Sequence, residues 1–332
     1  MPDPGMMLKD LEGFRGSSRR PWLVIVAVVT VATIGGILLL RHLERRQPST
    51  PDAGAPPAAA SAANPSASAA APGSGDPGAA VPPAAGAIPA EAAALLARAQ
   101  ADEAADQLLA ARTNYLALLA RTDAVAARPF AEARLGAVNV TLVGTPRIMP
   151  EKIDYAIRAG DSIKVLARRH GCTAELIIRA NNIPNPDRIQ VGDRLRILDK
   201  PAFAIRIGKT SNDLLLTLNG AFFRRYTVGT GMYGRTPVGT FRIQDKIENP
   251  PWWRPNGQVV PFGDPENILG TRWMSLAATG ETPPARGYGI HGTWDPSTIG
   301  RQSSAGCIRM RNSDAEELFM LVTEGTPVTI AD

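Results

Sequence analysis

The chain has 332 residues and a formal net charge of +5, and its residue types are distributed unevenly along the sequence. This length exceeds that of a typical domain, so the composition indicates a multidomain chain. From residue 201 onward basic and acidic residues are nearly balanced, which excludes the broad positive field that a nucleic-acid partner requires.

The N-terminal segment is predicted to anchor the chain in a membrane. Residues 1–21 form a short tail of mixed charge, and residues 22–40 contain no charged side chain. As a helix this apolar run spans about 28 Å, which fits a bilayer core, and Trp22 lies where an interfacial aromatic belongs. A cleaved signal peptide is the alternative, but the run is long for one and is followed by basic residues in place of a small-residue cleavage site. We expect an uncleaved single-pass transmembrane helix, with the tail in the cytoplasm.

Residues 47–90 consist almost entirely of Ala, Pro, Ser and Gly. A segment with so few large apolar residues cannot form a core and is Pro-rich enough to stay extended. We predict a disordered linker that holds the following domains away from the membrane.

Residues 91–143 change to a helical pattern. Apolar residues recur at three- and four-residue steps through one long helix and again through a second helix, in which Pro129 is tolerated in the first turn. The predicted seam of the first helix comprises Ala94, Ala97, Ala101, Ala104, Leu108, Ala111, Tyr115 and Leu118, and that of the second comprises Ala131, Leu135, Val138 and Leu142. We interpret the pair as an α-helical hairpin resembling one tetratricopeptide unit, which serves as a packing spacer.

Residues 153–198 show short alternating strands at each end and two helices between them, a β-α-α-β order. The segments Tyr155-Ala-Ile-Arg-Ala-Gly-Asp-Ser162 and Ile189-Gln-Val-Gly-Asp-Arg-Leu-Arg-Ile197 resemble those of a LysM module. The resemblance implies binding of N-acetylglucosamine-containing glycans in a groove between two loops. The candidate groove residues are Gly160, Asp161 and Ser162 on one side, and Asn182 and Ile183 on the other. Each of them has an alternative role as a helix cap or turn residue.

Residues 202–332 are predicted to form a mostly-β domain. Strand-like runs cover 203–207, 213–218 and 221–228, and Asn219-Gly220 between two of them is a strong hairpin signal. The segment 249–255 is predicted to be a Pro-rich aromatic loop, and residues 313–322 a helix with Ser313 as its cap, followed by a last strand.

A Cys and a His in this region are placed for nucleophilic chemistry. A thiol becomes a good nucleophile when a neighbouring imidazole lowers its pKa and takes its proton, so Cys307 is the candidate nucleophile and His291 its base. Gly292 and Gly306 leave bare backbone beside each of them, where peptide N–H groups can face a developing oxyanion. This arrangement indicates acyl transfer.

The stretch His291-Gly292, eleven further residues, then Ser304-Ala-Gly-Cys307-Ile-Arg309 resembles the signature of the L,D-transpeptidase (YkuD-type) catalytic domain. The resemblance includes Thr236-Pro-Val-Gly-Thr-Phe241 and the regions around Trp273 and Tyr288, and it departs at Ala305, where the family usually has a second His. It implies that Cys307 attacks peptidoglycan stem peptides, with Trp273 and Tyr288 near the substrate. Arg309 then holds a substrate carboxylate or pairs with a local one, and Ser304 orients the nucleophile loop or only fixes its turn.

The expected protein is therefore a peptidoglycan L,D-transpeptidase anchored in the inner membrane, with its LysM and catalytic domains in the periplasm or cell-wall space. Its expected partners are stem peptides, glycan strands and the membrane, and it needs no metal or other cofactor. A carboxypeptidase using the same site, or an inactive peptidoglycan-binding scaffold, is the alternative, and Ala305 is the one residue that favours the scaffold.

Cys172 and Cys307 are predicted to be free thiols, because a disulfide would disable the nucleophile. The sequence leaves the oligomeric state open.

Overall fold

The computed structural model describes residues 81–84, 88–284 and 286–332. The predicted tail, the transmembrane helix at 22–40 and nearly all of the linker at 47–90 lie outside the described residues. Within the described part of the chain, no helix combines the length and the apolar character needed to cross a membrane.

The first described module is a bundle of three helices, α1 (Ala90–Ala104), α2 (Leu108–Ala120) and α3 (Arg128–Val143). The predicted hairpin is therefore wrong in one respect, because its first helix is broken between α1 and α2. Asp106 at the break has φ 60°, a left-handed conformation that Asp adopts more readily than most residues. Tyr115 on α2 then donates a hydrogen bond of 2.8 Å to Glu103 near the end of α1, which holds the two helices together.

The buried face of α1 also differs from the predicted seam. Ala94, Ala97, Ala101 and Ala104 are exposed, whereas Ala92, Leu96 and Ala99 are buried. Alanine occupies so many positions of α1 that its three- and four-residue spacing can be drawn on several faces, and the larger Leu96 decides which one packs. On α2 and α3 the predicted seam residues are buried, and Pro129 lies in the first turn of α3.

The second module has the predicted β-α-α-β order: β1 (Lys152–Ala156), α4 (Ile163–His170), α5 (Ala174–Ala180) and β2 (Arg194–Leu198), with β1 and β2 antiparallel. Both helices begin at a hydroxyl cap. Ser162 accepts a hydrogen bond from Val165 N, and Thr173 accepts one from Leu176 N. Gly171, with φ 64°, ends α4.

The third module is built on an eight-stranded sheet. The strands are β3 (Phe203–Gly208), β4 (Asp213–Leu218), β5 (Ala221–Thr227), β7 (Gly239–Glu248), β10 (Arg272–Ala278), β11 (Gly289–His291), β13 (Ile308–Arg309) and β14 (Pro327–Ala331), in the order β13-β11-β10-β7-β14-β3-β4-β5. Short parallel strands β6 (Thr230–Gly231) and β12 (Gln302–Ser304) lie beside it. The predicted hairpin at Asn219-Gly220 is confirmed, since β4 and β5 pair across it and both residues have positive φ.

Two local predictions in this domain are corrected. Helix α6 (Asn312–Leu321) begins directly after Arg311, and Ser313 does not cap it. The segment around Trp252 and Trp253 is not an irregular loop, because these residues form strand β8 (Trp252–Trp253), which pairs with β9 (Val259–Val260). Four hydrogen bonds of Asn267 tie the surrounding segment together, which the aromatic and Pro content of the sequence could not indicate.

The three modules contact one another directly. Asn139 on α3 is fully buried and donates a hydrogen bond of 2.9 Å to Phe223 O on the edge strand β5. Thr173, which begins α5 of the second module, donates to Met320 O on α6. The bundle therefore packs on the sheet at β5, and the second module packs on α6.

Candidate active site

Strands β11 and β13 bring the two candidate reactive residues together. They are parallel neighbours in which Ile290 pairs with Ile308 and His291 pairs with Arg309. Cys307 immediately precedes β13, and side chains two residues apart on an extended chain point to the same face. Cys307, Arg309 and His291 thus share one face at the end of the sheet.

His291 is buried, with an exposed fraction of 2%, and its Nδ1 lies 2.6 Å from Gly292 O. A carbonyl oxygen only accepts, so Nδ1 carries the proton and Nε2 presents its lone pair. The Gly292 carbonyl thereby fixes the orientation of the ring. Burial lowers the pKa of His291 to about 4, and the positive charge of Arg309 adds to this effect, while the Gly292 bond opposes it. The imidazole is neutral at pH 7 and able to accept a proton.

Cys307 is half-buried, and its Sγ donates a hydrogen bond of 3.5 Å to Gly287 O. Burial raises the pKa of the Cys307 thiol, while a hydrogen bond with the backbone of Gly289 and the charge of Arg309 act in the opposite direction. The expectation of a lowered pKa is therefore wrong for the resting site, because desolvation disfavours the thiolate more than its surroundings stabilise it. In the resting site the Cys307 thiol and the His291 imidazole are therefore both neutral. Both cysteines are free thiols, as predicted.

Ser304 shapes the turn that carries the nucleophile. Its Oγ donates to Cys307 O at 2.6 Å and accepts from Gly306 N at 3.0 Å, and the side chain is buried. Both bonds stay within the turn, which supports a positioning role for Ser304. They also occupy the Gly306 N–H, so that group is not free to bind an oxyanion.

The two glycines of the site are required by close packing. Gly306 has φ 136°, and a Cβ at this position would lie 2.5 Å from Cε1 of Tyr288. A side chain on Gly292 would overlap Oδ1 of Asn312. Both positions therefore require glycine, because a side chain would overlap its neighbours.

Trp273 and Tyr288 are both half-buried and line the site. The Trp273 ring lies beside the imidazole, with 5.6 Å between the ring centroids of Trp273 and His291. The Tyr288 ring lies against Gly306 in the nucleophile turn. The structure thus places both predicted substrate-binding aromatics around the reactive pair.

Arg309 is half-buried, and its Nε is buried without a hydrogen-bond partner in the described part of the chain. The ion pairs among the described residues do not include it, although they include its neighbours Arg311 and Arg272. The alternative that Arg309 pairs with a local carboxylate is therefore not what the structure shows. Its positive charge is available to the site.

Sequence reasoning assigned no role to two residues that shape the site. Thr236 is fully buried and donates a hydrogen bond of 2.9 Å to Gly306 O. Asn312, at the start of α6, accepts from Thr271 N at 3.2 Å and packs against Gly292. Thr236 stood inside a recognised motif, but only the three-dimensional structure connects it to a residue 70 positions away.

The second module contains a cavity of about 530 Å³ between the segment that follows α5 and the start of β2. The residues that line it include Asn182 and Ile183, with Asn181, Pro184, Asn185, Arg188, Ile189, Asp193, Arg194 and Leu195. Of the predicted groove residues, Gly160, Asp161 and Ser162 do not line it. Asp161 accepts hydrogen bonds from Tyr155 Oη and Arg158 N, and Ser162 caps α4, so these residues have structural roles.

Comparison with known protein families identifies both C-terminal domains. Residues 203–330 match the L,D-transpeptidase catalytic domain, and residues 155–198 match the LysM domain. Among curated proteins, YqjB of Bacillus subtilis (strain 168), assigned to the L,D-transpeptidases, is 38% identical over 127 residues, which cover 38% of this chain and 69% of YqjB. YkuD of the same strain, with the same assignment, is 29% identical over 184 residues, which cover 54% of this chain and 98% of YkuD.

Among solved structures, an L,D-transpeptidase from Mycobacterium tuberculosis H37Rv matches 43% of this chain and 64% of its own, at 18% identity and a TM-score of 0.33. The chain thus spans slightly less than two thirds of that structure. On the strength of the catalytic-domain match and the similarity to YqjB, the chain belongs to the L,D-transpeptidase family of YkuD type, with a LysM domain preceding the catalytic domain.

Proposed function

We propose that this protein is a membrane-anchored peptidoglycan L,D-transpeptidase that acts through an acyl-enzyme on Cys307. The observation that carries the proposal is the pairing of β11 with β13, which places Cys307 and the buried His291 on one face of the sheet, with the Nδ1 proton of His291 directed at Gly292 O. A neutral imidazole is the form that can accept the proton of a thiol as the thiol attacks.

In the first half-reaction, Cys307 attacks the carbonyl carbon of the third residue of a donor stem peptide. The thiol proton passes to Nε2 of His291 as the C–S bond forms, and the carbonyl π electrons move to oxygen. Collapse of this oxyanion re-forms the C=O bond and breaks the C–N bond to the terminal D-alanine. The departing amine takes the proton from the imidazolium, which leaves a thioester and a neutral imidazole.

In the second half-reaction, an amine of a neighbouring stem peptide attacks the thioester carbonyl. His291 accepts the proton of the attacking amine, the new C–N bond forms, and the C–S bond breaks. The sulfur regains a proton from the imidazolium, which restores the resting pair. Water in place of the amine would give a carboxypeptidase at the same site, and a protein amine would give attachment of that protein to the wall.

Three side chains are suited to holding the donor. Arg309 has a buried guanidinium nitrogen without a partner and can pair with a stem-peptide carboxylate, which a planar guanidinium binds well. Trp273 and Tyr288 flank the reactive pair and provide apolar walls. These contacts would position the scissile carbonyl near Cys307.

The remaining parts of the chain serve to place this site at the cell wall. The LysM domain, through the cavity that includes Asn182 and Ile183, would bind glycan strands. The apolar segment 22–40 would anchor the chain in the inner membrane, with the linker and both domains in the periplasm or cell-wall space.

Product analysis tests this function. The full-length protein, purified in detergent, is incubated with a stem tetrapeptide, with and without an acceptor peptide that carries a free side-chain amine. We expect release of D-alanine and, with the acceptor, a peptide dimer joined through the third residue of the donor; Cys307→Ala should yield neither, and Cys172→Ala should yield both. D-alanine release without any dimer would establish the carboxypeptidase instead, and no product from the native protein would favour the scaffold.

A further inference from the structure

The buried hydroxyl of Thr236 forms a hydrogen bond with the peptide unit that joins Gly306 to Cys307. Gly231 N–H donates to Thr236 Oγ1 at 2.8 Å, and Thr236 Oγ1 donates to Gly306 O at 2.9 Å. The hydroxyl has a single proton, and Gly306 O can only accept, so the direction of both bonds is fixed. Thr236 is fully buried, and water does not compete for these bonds.

The segment that carries Thr236 is itself locked against the nucleophile turn. Strand β6 pairs with β12, so that Ser304 lies opposite Gly231. A Cβ on Gly231 would lie 2.9 Å from Gly306 Cα, and one on Gly306 would lie 3.1 Å from Arg235 O. The segment that carries Thr236 is thus packed directly against the nucleophile turn.

The orientation of the Gly306 carbonyl determines where the Cys307 N–H points. In a trans peptide the C=O and the N–H of one unit point in opposite directions. Because Gly306 O is directed at Thr236, the Cys307 N–H is directed away from it. Among the hydrogen bonds of the described residues, the turn uses Gly306 N–H, Gly306 O and Cys307 O, and the Cys307 N–H has no partner.

We infer that Thr236 is a positioning residue of the oxyanion hole: by fixing the Gly306–Cys307 peptide, its hydroxyl keeps the Cys307 N–H aimed at the oxygen of the carbonyl that Cys307 attacks. The inference rests on the proposed acyl transfer and identifies what holds its oxyanion donor in place. Thr236 does not touch the substrate, so it acts on the rate of acylation through the geometry of the Cys307 N–H.

The test separates chemistry that forms an oxyanion from chemistry that does not. Acylation of Cys307 by a stem tetrapeptide passes through an oxyanion, whereas alkylation of Cys307 by iodoacetamide is a displacement at carbon and forms none. In Thr236→Val, which keeps the shape and removes the hydroxyl, we expect acylation to slow by about a hundredfold, the scale of losing one oxyanion donor. The alkylation rate of Cys307 should stay within about twofold of native, and Thr236→Ser should restore acylation, because it keeps the hydroxyl.

Thr326 provides a matched control. It is buried, accepts from Thr323 N at 3.2 Å and donates to Thr323 O at 2.7 Å, the same pair of bonds in the loop after α6. Thr326→Val should lose thermal stability as Thr236→Val does, yet acylate at the native rate. Native-rate acylation in Thr236→Val, or a parallel fall of acylation and alkylation, would overturn the inference. Absence of acylation in the native protein would instead refute the proposed function.

Discussion

At the scale of single residues, burial of His291 sets the acid limit of the reaction. The pKa of its imidazole is lowered to about 4, so the base form persists above that pH and is lost below it. We expect the second-order rate constant of acylation to fall only as the pH drops towards 4, whereas an ordinary histidine would cause the fall near 6.5. The measurement is the pH profile of acylation, and an acid limb near 6.5 would contradict the assignment.

The same burial affects folding stability. Below pH 6.5 the unfolded chain binds a proton on this imidazole and the folded chain does not until about pH 4, so stability is lost across that interval as the pH falls. NMR titration of the His291 ring measures its pKa in the folded chain. The chain has only three histidines, and His291→Gln identifies the signal.

Ala305 is the position where this chain departs from its family's usual signature. Its side chain is exposed, so a histidine there would project outward without a clash. We expect the free energy of unfolding of Ala305→His to stay within about 0.5 kcal/mol of the native value, as for most exposed substitutions. We also expect the variant to be acylated at least as fast as the native protein. Thermal denaturation and the acylation rate are the readouts. A tenfold slower acylation at unchanged stability would mean that the site depends on a small residue at 305.

The candidate reactive residues could be proposed from sequence, but their electrostatic state could not. The ordered motifs pointed to Cys307 and His291 as the candidate nucleophile and base. The direction of the Cys307 pKa depends on how much protein covers the thiol, which no linear spacing reveals. Thr236 and Asn312 were missed for the same reason, since their partners are distant in sequence.

At the scale of elements, the contacts between modules bear on what deletion of the LysM domain would do. Thr173 at the start of α5 bonds to Met320 on α6, so removing residues 153–198 would uncover a helix of the catalytic domain. Deletion is therefore expected to lower stability as well as glycan binding. A substitution inside the cavity tests binding alone.

We expect Ile183→Ala, within the LysM cavity, to weaken binding to intact sacculi by about tenfold, the loss of one or two buried methylene contacts. Turnover of a soluble stem peptide should remain unchanged, because the thiol chemistry lies in the other domain. Val191→Ala, at an exposed position of the same domain outside the cavity, is the control and should bind as the native protein does. If both variants bound sacculi equally well, the cavity would not be the glycan-binding site.

Element types were predicted better than their packing faces. The β-α-α-β order and the hairpin at Asn219-Gly220 follow from capping residues and turn chemistry, which are local. Helix α1 shows the limit, because a sequence with alanine at most positions carries too little apolar contrast to select one face. The paired strands around Trp252 depend on hydrogen bonds of Asn267 that only the folded chain forms.

At the scale of the whole molecule, the proposed anchor makes a topological prediction. If residues 22–40 span the membrane with the tail inside, a single cysteine introduced between residues 51 and 80 in the Cys172→Ala, Cys307→Ala background should lie outside the membrane. It should react with a membrane-impermeant maleimide in intact cells. A cysteine introduced in residues 1–20 should react only after permeabilisation, and the reverse pattern would contradict the proposed orientation.

The proposed function requires a covalent intermediate at Cys307. Intact-protein mass spectrometry after brief incubation of the full-length protein with a stem tetrapeptide tests for it most directly. We predict a mass increase equal to the tetrapeptide minus D-alanine, located on Cys307 by peptide mapping and absent in Cys307→Ala. In His291→Gln the adduct should form much more slowly, because no base takes the thiol proton. An unmodified native protein, or an adduct on Cys172, would contradict the account.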